Sequence, residues 1–376
     1  MLDLARELDA LGHEVLFYSY VPVKRGAKFG LKASLQRSLF PYVAPLIGLM
    51  RLLKETPVWP FLNQLNILLM DRLVAWKLEP CDVFIGMTGF FPIASEKARR
   101  KYGAKILVER GSTHILRQKE ILASLKGGAQ VPDFDVKREL ASYEQADLIV
   151  VPSLHVVDSF TARGIGPERL FRNPYGVNLE MFKPTPAPEG LPPTALFVGG
   201  WIYRKGCDVW GQVLEKMPEL RLVHVGGRGD APFPDSDRFT HVDPVNQWEL
   251  LDYYAKAHVF VLASREEGLS LVLFQALACG LPLVCTDQTG GRDLLEVVKD
   301  ENLVRVVPVD DLEALCAGIR RSMAFAMARK GLRVLPSEAR EQLTWRSYGE
   351  RYSRKLAEIT GRGPGRTSVA TEVAPS

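Results

Sequence analysis

The chain has 376 residues, 48 Lys+Arg against 44 Asp+Glu and a formal charge of +4, too small a surplus to make nucleic acid its main partner. With 47% hydrophobic and 24% charged residues, the composition excludes a disordered or collagen-like chain, and the length suits about two domains. The cysteines, Cys81, Cys207, Cys279, Cys285 and Cys316, are odd in number and form no CxxC pair. That argues against a zinc site or disulfide scaffold and for free, buried thiols in a reducing cytoplasm. The opening MLDLARELDALGHEV has neither the basic lead-in nor the apolar run of a signal peptide. The longest apolar run, residues 39–50, holds two prolines and is too short to span a bilayer. The expectation is a cytoplasmic protein, soluble or peripheral at the inner face of a membrane.

In chain order, Leu4, Leu8 and Leu11 mark a helix face that ends at Gly12 and feeds a strand at 15–18. In a parallel sheet a helix normally follows a strand, so the first strand of this domain is expected to be missing. Residues 22–54 carry Lys24, Arg25, Lys28, Lys32, Arg37, Arg51 and Lys54 with no acidic residue, interleaved with Phe29, Leu31, Leu35, Phe40, Tyr42 and Ile47. This is the composition of a basic amphipathic surface, either docking on an anionic membrane or forming a solvated lid over the sheet. From residue 83 the rhythm is strand, turn, helix: strands at 83–85, 105–108 and 148–151, with Ser153 capping a helix. Residues 184–194, PTPAPEGLPPT, read as a linker. A second series has strands at 195–198, 221–225, 259–262 and 283–285. The predicted fold is α/β: two Rossmann-like, doubly wound domains, 1–183 and 195–343, facing a cleft. A tail, 362–376, is expected to be disordered.

The strongest local signal is REEGLSLVLFQALACGLP, residues 265–282. An acidic pair and a glycine stand before a helix. A carboxylate placed there can accept from sugar hydroxyls, and the adjoining helix amides suit phosphate. It can equally be a capping carboxylate. The segment resembles that of the family-4 glycosyltransferases, which have the two-Rossmann-domain architecture called GT-B. Glu267-Gly268 opens the family motif and Ala278-Cys279-Gly280-Leu281-Pro282 closes it; the second motif glutamate falls on Gln275. The run from Phe197 through Gly199, Gly200, Arg204 and Lys205 to Gly206 resembles the family's glycine loop ending in Lys-Gly. Tyr175-Gly176-Val177-Asn178 with Phe182-Lys183-Pro184 resembles its hinge entry, and residues 345–352 the last helix, 344–361, which crosses back to the first domain.

The resemblance implies transfer of a sugar from a nucleotide-sugar to a hydroxyl of a saccharide or lipid-linked acceptor, with retention of configuration, in polysaccharide or glycolipid synthesis. It implies that Lys205 contacts the donor diphosphate, with Arg204 sharing the charge. Glu267 binds a donor-sugar hydroxyl, Gln275 the ribose through a neutral amide, and His114 lies near the donor sugar. Gly199, Gly200, Gly268, Leu269 and Ser270 line the donor loops, Gly290 and Gly291 offer backbone amides or a tight turn, and Arg228 stands near the base. The leaving phosphate helps deprotonate the acceptor, and basic side chains neutralise its charge in place of a metal, so neither a metal nor another cofactor is expected. The alternative is an inactive relative or a non-enzymatic carbohydrate-binding protein.

Overall fold

The computed structural model describes residues 1–127, 130–363 and 367–372. It forms two parallel-sheet lobes. The first lobe contains β1 (Glu14–Ser19), β2 (Gln36–Ser38), β3 (Val83–Met87), β4 (Lys105–Glu109), β5 (Leu148–Val151) and β6 (Leu170–Arg172). The second contains β7 (Thr194–Val198), β8 (Arg221–Val225), β9 (Phe239–Val242), β10 (Val259–Leu262), β11 (Leu283–Thr286) and β12 (Val304–Val307), in the order β12-β11-β10-β7-β8-β9. Inner strands such as β5, β10 and β11 are short, fully buried runs, because helices cover both faces, as parallel sheets require, whereas the edge strands β2, β6 and β9 are more polar and less buried.

The chain's end corrects one expectation and completes the sheet of the first lobe. Residues 368–372 are not a disordered tail: they form β13 (Ser368–Glu372), and the first sheet runs β2-β1-β13-β3-β4-β5-β6. As expected, among the described residues no strand stands ahead of the first helix, Leu2–Ala10, but the sheet has no gap beside β1: β13 lies parallel between β1 and β3, with Val369 opposite both Val15 and Val83. Val369 and Ala370 are fully buried on opposite faces, each in its own core cluster. Five residues hemmed in by glycines and prolines look like loop in the sequence; neighbours more than 280 positions away make them a central strand. The rest of the expected tail that falls on 364–366 and 373–376 lies outside the described residues.

The last long helix, Trp345–Thr360, returns to the first lobe. It packs on the helix Leu2–Ala10 so closely that a Cβ on Gly349 would lie 2.5 Å from Cβ of Glu7. Tyr352 and Tyr348 donate their phenol groups to buried Glu109 at 2.7 and 3.3 Å. The proline-rich segment 184–194 is not a free tether at its start: buried Arg333 holds the carbonyl of Tyr254 at 2.9 Å and that of Ala257 at 2.8 Å, while the backbone carbonyl of Thr185 accepts from Arg333 N at 3.0 Å.

Residues 22–54 fold into the helix Val23–Lys28, edge strand β2 and the helix Phe40–Leu52, which packs against Trp59–Lys77. Of the helix Phe40–Leu52 only Val43 is buried. Its Tyr42, Leu49 and Leu52 are exposed together with Phe61, Leu65 and Trp76 of the next helix, Leu52 at 83%. Phe61, Leu65, Arg72 and Trp76 fall on one stripe of that helix. Among the described residues, no helix is long and apolar enough to cross a membrane.

Candidate functional site

The two lobes meet at the carboxyl ends of their strands, where open α/β sheets place ligands. After β7 the chain makes a short 3₁₀ turn, Tyr203–Lys205, and Gly206 follows at φ +67°. A Cβ there would sit 2.1 Å from the carbonyl oxygen of Ala263, so only glycine allows this turn to lie on the end of β10. Arg265 clamps the same turn. It donates to Tyr203 O at 2.7 Å and to Asp208 at 2.6 Å, and its own N–H donates to Arg204 O at 2.9 Å.

That packing sets Arg204 and Lys205 against the acidic pair. Arg204 Nη1 donates to the backbone oxygen of Glu266 at 2.9 Å and to its Oε2 at 3.2 Å, and stands 3.7 Å from Oε1 of Glu267. Lys205 Nζ forms a contact ion pair with Glu267 Oε1. Burial, and then the neighbouring Arg204 charge, push the Lys205 ammonium down to about 8. An anion entering here would therefore meet two cations whose present partners are carboxylates.

Glu266 also reaches the first lobe. Its Oε1 accepts from Ser112, from Thr113 Oγ1 at 3.4 Å and from Gln118 Nε2 at 3.5 Å. Next to it the backbones touch: a Cβ on Gly268 would lie 1.7 Å from Gly111 O, so residue 268 must be glycine for the lobes to close. Leu269 is buried against Gly290, whose φ of +84° likewise demands glycine. Ser270 precedes the helix Leu271–Ala278, and Gly291 opens the helix Gly291–Val298 directly behind the loop. Two cavities of about 520 and 430 Å³ lie between the lobes and share Arg117, Glu120 and Gln288.

The structure thus joins Glu267, Lys205, Arg204, Gly268, Leu269, Ser270, Gly290 and Gly291. Others stand apart. His114 does not face the second lobe. Its ring lies inside the first, 5.1 Å from Tyr143 and 5.0 Å from Phe160 between centroids, with Nδ1 accepting from Leu116 N at 3.3 Å as a helix cap. Burial pushes its pKa down to about 4. Gln275 is not beside Glu267 either. Its Oε1 accepts from buried Tyr254 at 3.0 Å, and the residue borders a separate cavity of about 380 Å³ with Arg6, Asn178 and Trp345. Gly199 carries φ +144° and accepts from His224 at 2.8 Å. Gly200 has open space where a Cβ would stand, and Arg228 stacks on Phe233 at 4.8 Å.

Ser112, Gln118 and His155 join the site without a motif to announce them. Like His114 after β4, His155 lies just past a strand's carboxyl end, that of β5, which is the position open α/β sheets use for ligands. Among the described residues no group of three or more His, Cys, Asp or Glu side chains is arranged to hold a metal ion.

The family model described as glycosyl transferases group 1 matches residues 192–324. A D-inositol 3-phosphate glycosyltransferase of Xylanimonas cellulosilytica is 34% identical over 177 residues, which is 40% of this chain and 42% of that protein. An alpha-galactosylglucosyldiacylglycerol synthase of Streptococcus pneumoniae is 26% identical over 62% of this chain and 67% of its own length. The first of these matches therefore spans less than half of its relative. A sucrose-phosphate synthase structure from Thermosynechococcus elongatus superposes with a TM-score of 0.61 at 22% identity, over 80% of this chain and 78% of that one. The chain carries a group 1 glycosyl transferases domain at residues 192–324, set within two facing doubly wound lobes of the GT-B fold.

Proposed function

We propose that the protein transfers a sugar from a nucleotide-sugar to an acceptor hydroxyl, with retention of configuration. The observation that carries this reading is the pair Arg204 and Lys205, clamped by Arg265 and Gly206 at the cleft beside Glu266 and Glu267. When the bond to the sugar breaks, negative charge develops on the departing nucleoside diphosphate. Cations fixed at that point stabilise the transition state more than the ground state. The N–H groups at the start of the helix Gly291–Val298 favour the same anion. The diphosphate competes with Glu266 for Arg204 and with Glu267 for Lys205, which frees Glu267 to accept from a hydroxyl of the donor sugar. The leaving phosphate then takes the acceptor proton, so no protein nucleophile is needed. With one lone pair of its carbonyl held by Tyr254, Gln275 offers a ribose its amide nitrogen and the remaining lone pair. His114 acts as a helix cap.

The acceptor side of this reading is a lipid-linked hydroxyl at an anionic membrane face. A cavity of about 260 Å³ in the first lobe is lined by Asn63, Ile67, Thr88, Gln118, Asp135 and Glu139. Gln118 connects it to Glu266. Asn63 and Ile67 belong to the same helix that exposes Phe61, Leu65 and Trp76, next to the basic segment 22–54. The lipid product named in the Streptococcus pneumoniae relative is in keeping with such an acceptor.

The test is a panel of uridine and guanosine diphosphate sugars, scored by calorimetric binding and by product with lipid acceptors in anionic vesicles. Binding and turnover that Lys205→Ala removes support the reading. No binding of any nucleotide-sugar favours the carbohydrate-binding alternative.

A further inference from the structure

Three consecutive residues of the first lobe grip the second at separate points. Ser153 Oγ donates to the backbone oxygen of Gly268 at 2.7 Å. His155 Nε2 stands 2.7 Å from the backbone oxygen of Glu267. The N–H of Leu154 donates to both carboxylate oxygens of Asp293, at 3.1 and 3.0 Å. Asp293 comes from the first turn of the helix Gly291–Val298, and Arg172 of the first lobe completes its shell at 3.0 Å. Ser153, His155 and Asp293 are all buried, at 0, 6 and 3% exposure.

The chemistry of each contact is determined. Burial holds the His155 imidazole down at about 4, so the ring is neutral at pH 7. The Glu267 carbonyl only accepts, so the ring's single proton sits on Nε2. Nδ1, 3.0 Å from Ser153 Oγ, is left as an acceptor. The Ser153 hydroxyl shares its one proton between that nitrogen and the Gly268 carbonyl. Asp293 meanwhile occupies the start of the helix Leu154–Thr161 across the interface, where an N-terminal N–H group and the helix dipole favour a carboxylate.

We infer that Ser153, Leu154 and His155 form an inter-lobe clasp that sets the position of the Glu266–Glu267–Gly268 loop, with His155 as a positioning residue for the proposed transfer. The clasp holds the loop by its backbone carbonyls, so the Glu266 and Glu267 side chains remain free to exchange partners when an anion reaches Arg204 and Lys205. Lobe closure and assembly of the charge cluster are then one event. A misplacement of about 1 Å at such a site costs on the order of 100-fold in rate, which is what the clasp prevents.

This inference rests on the glycosyltransferase reading for its effect on rate, but its structural half is tested without turnover. Amide hydrogen exchange at residues 267–271 and the radius of gyration from X-ray scattering are measured for the full chain, His155→Ala and Asp293→Ala. The expected result is faster exchange at those amides by at least about tenfold, a larger radius, and a fall in kcat that exceeds any rise in donor KM. His155→Gln, whose amide can still donate to the Glu267 carbonyl, and Asp293→Asn, which can still accept from Leu154, restore most of the protection. Should an alanine variant not fold, the serine variant Ser153→Ala carries the same test with a smaller volume change. Exchange and radius unchanged in all variants overturn the clasp. Faster exchange in a protein that binds no nucleotide-sugar upholds the clasp and overturns the transferase reading instead.

Discussion

Asp82 Oδ2 receives the backbone N–H of Ser368 at 2.9 Å, and so ties the strand at the chain's end to the start of β3. Arg362 reaches the other oxygen of the same carboxylate at 2.6 Å. Among the described residues no other strand lies between β1 and β3, so without β13 both neighbours would lose a full ladder of backbone hydrogen bonds inside a two-sided core. Deletion of residues 363–376 is expected to abolish the cooperative unfolding of the first lobe and leave the second folded. Separate melting transitions followed by hydrogen exchange check this, and an intact first lobe after truncation contradicts it.

Lys205 is expected to be the most sensitive of the cleft cations. Lys205→Ala should lower kcat/KM by roughly 10²–10³, the range for removing one group that stabilises developing charge. Glu267→Gln should also reduce turnover, because a charge-assisted hydrogen bond to the donor sugar is lost. The measurement is steady-state kinetics on folded variants, with near-normal rates for either substitution as the contrary result.

Gln275→Glu tests whether the amide matters. A carboxylate at this position would still accept from Tyr254, at the cost of placing a charge beside a buried phenol. Donor affinity that tightens on this substitution ties Gln275 to the ribose; a loss of thermal stability with unchanged affinity makes it a packing residue of the hinge cavity.

Asp293 gives a pH signature. Burial raises its carboxyl to about 6, against the hydrogen bond from Leu154 and the Arg172 charge, with Glu296 on the same helix raising it further. Lys299 and Arg351 border the adjacent cavity. The native state therefore binds this proton more tightly than the unfolded chain does. The contribution is fully present below the unfolded value of 3.8 and is lost as pH rises through about 6. The Tm of wild type should accordingly fall relative to Asp293→Asn between pH 4 and 7 and run parallel to it above 7. A constant difference across that range rules the effect out.

At the membrane surface, the full chain should co-sediment with phosphatidylglycerol-containing vesicles more than with pure phosphatidylcholine, and salt should weaken the binding. Replacing Leu52, Phe61 and Trp76 by serine should weaken it further. Equal sedimentation with both lipids, or none with either, leaves a solvated helical lid.

The alternation of short apolar runs with helices, and the punctuation by Gly12, Gly206 and Gly268, made two doubly wound domains legible from the sequence alone. The acidic pair and the Arg204-Lys205-Gly206 turn were legible too, because a glycine conformation and a charge pattern are local properties of a few neighbouring residues. Other properties were settled by partners distant in the chain. The strand Ser368–Glu372 has no periodicity of its own to separate it from a loop, and only β1 and β3 make it the middle of a sheet. His114 and His155 share the same local description, a histidine beyond a parallel strand. Tertiary packing alone turns the first into a cap stacked on Tyr143 and Phe160, and aims the second at the Glu267 carbonyl of the opposite lobe. Side-chain direction past a strand's end depends on which surface closes over it, and that surface comes from other elements: Tyr143 and Phe160 of the same lobe for His114, and a loop 112 positions away for His155.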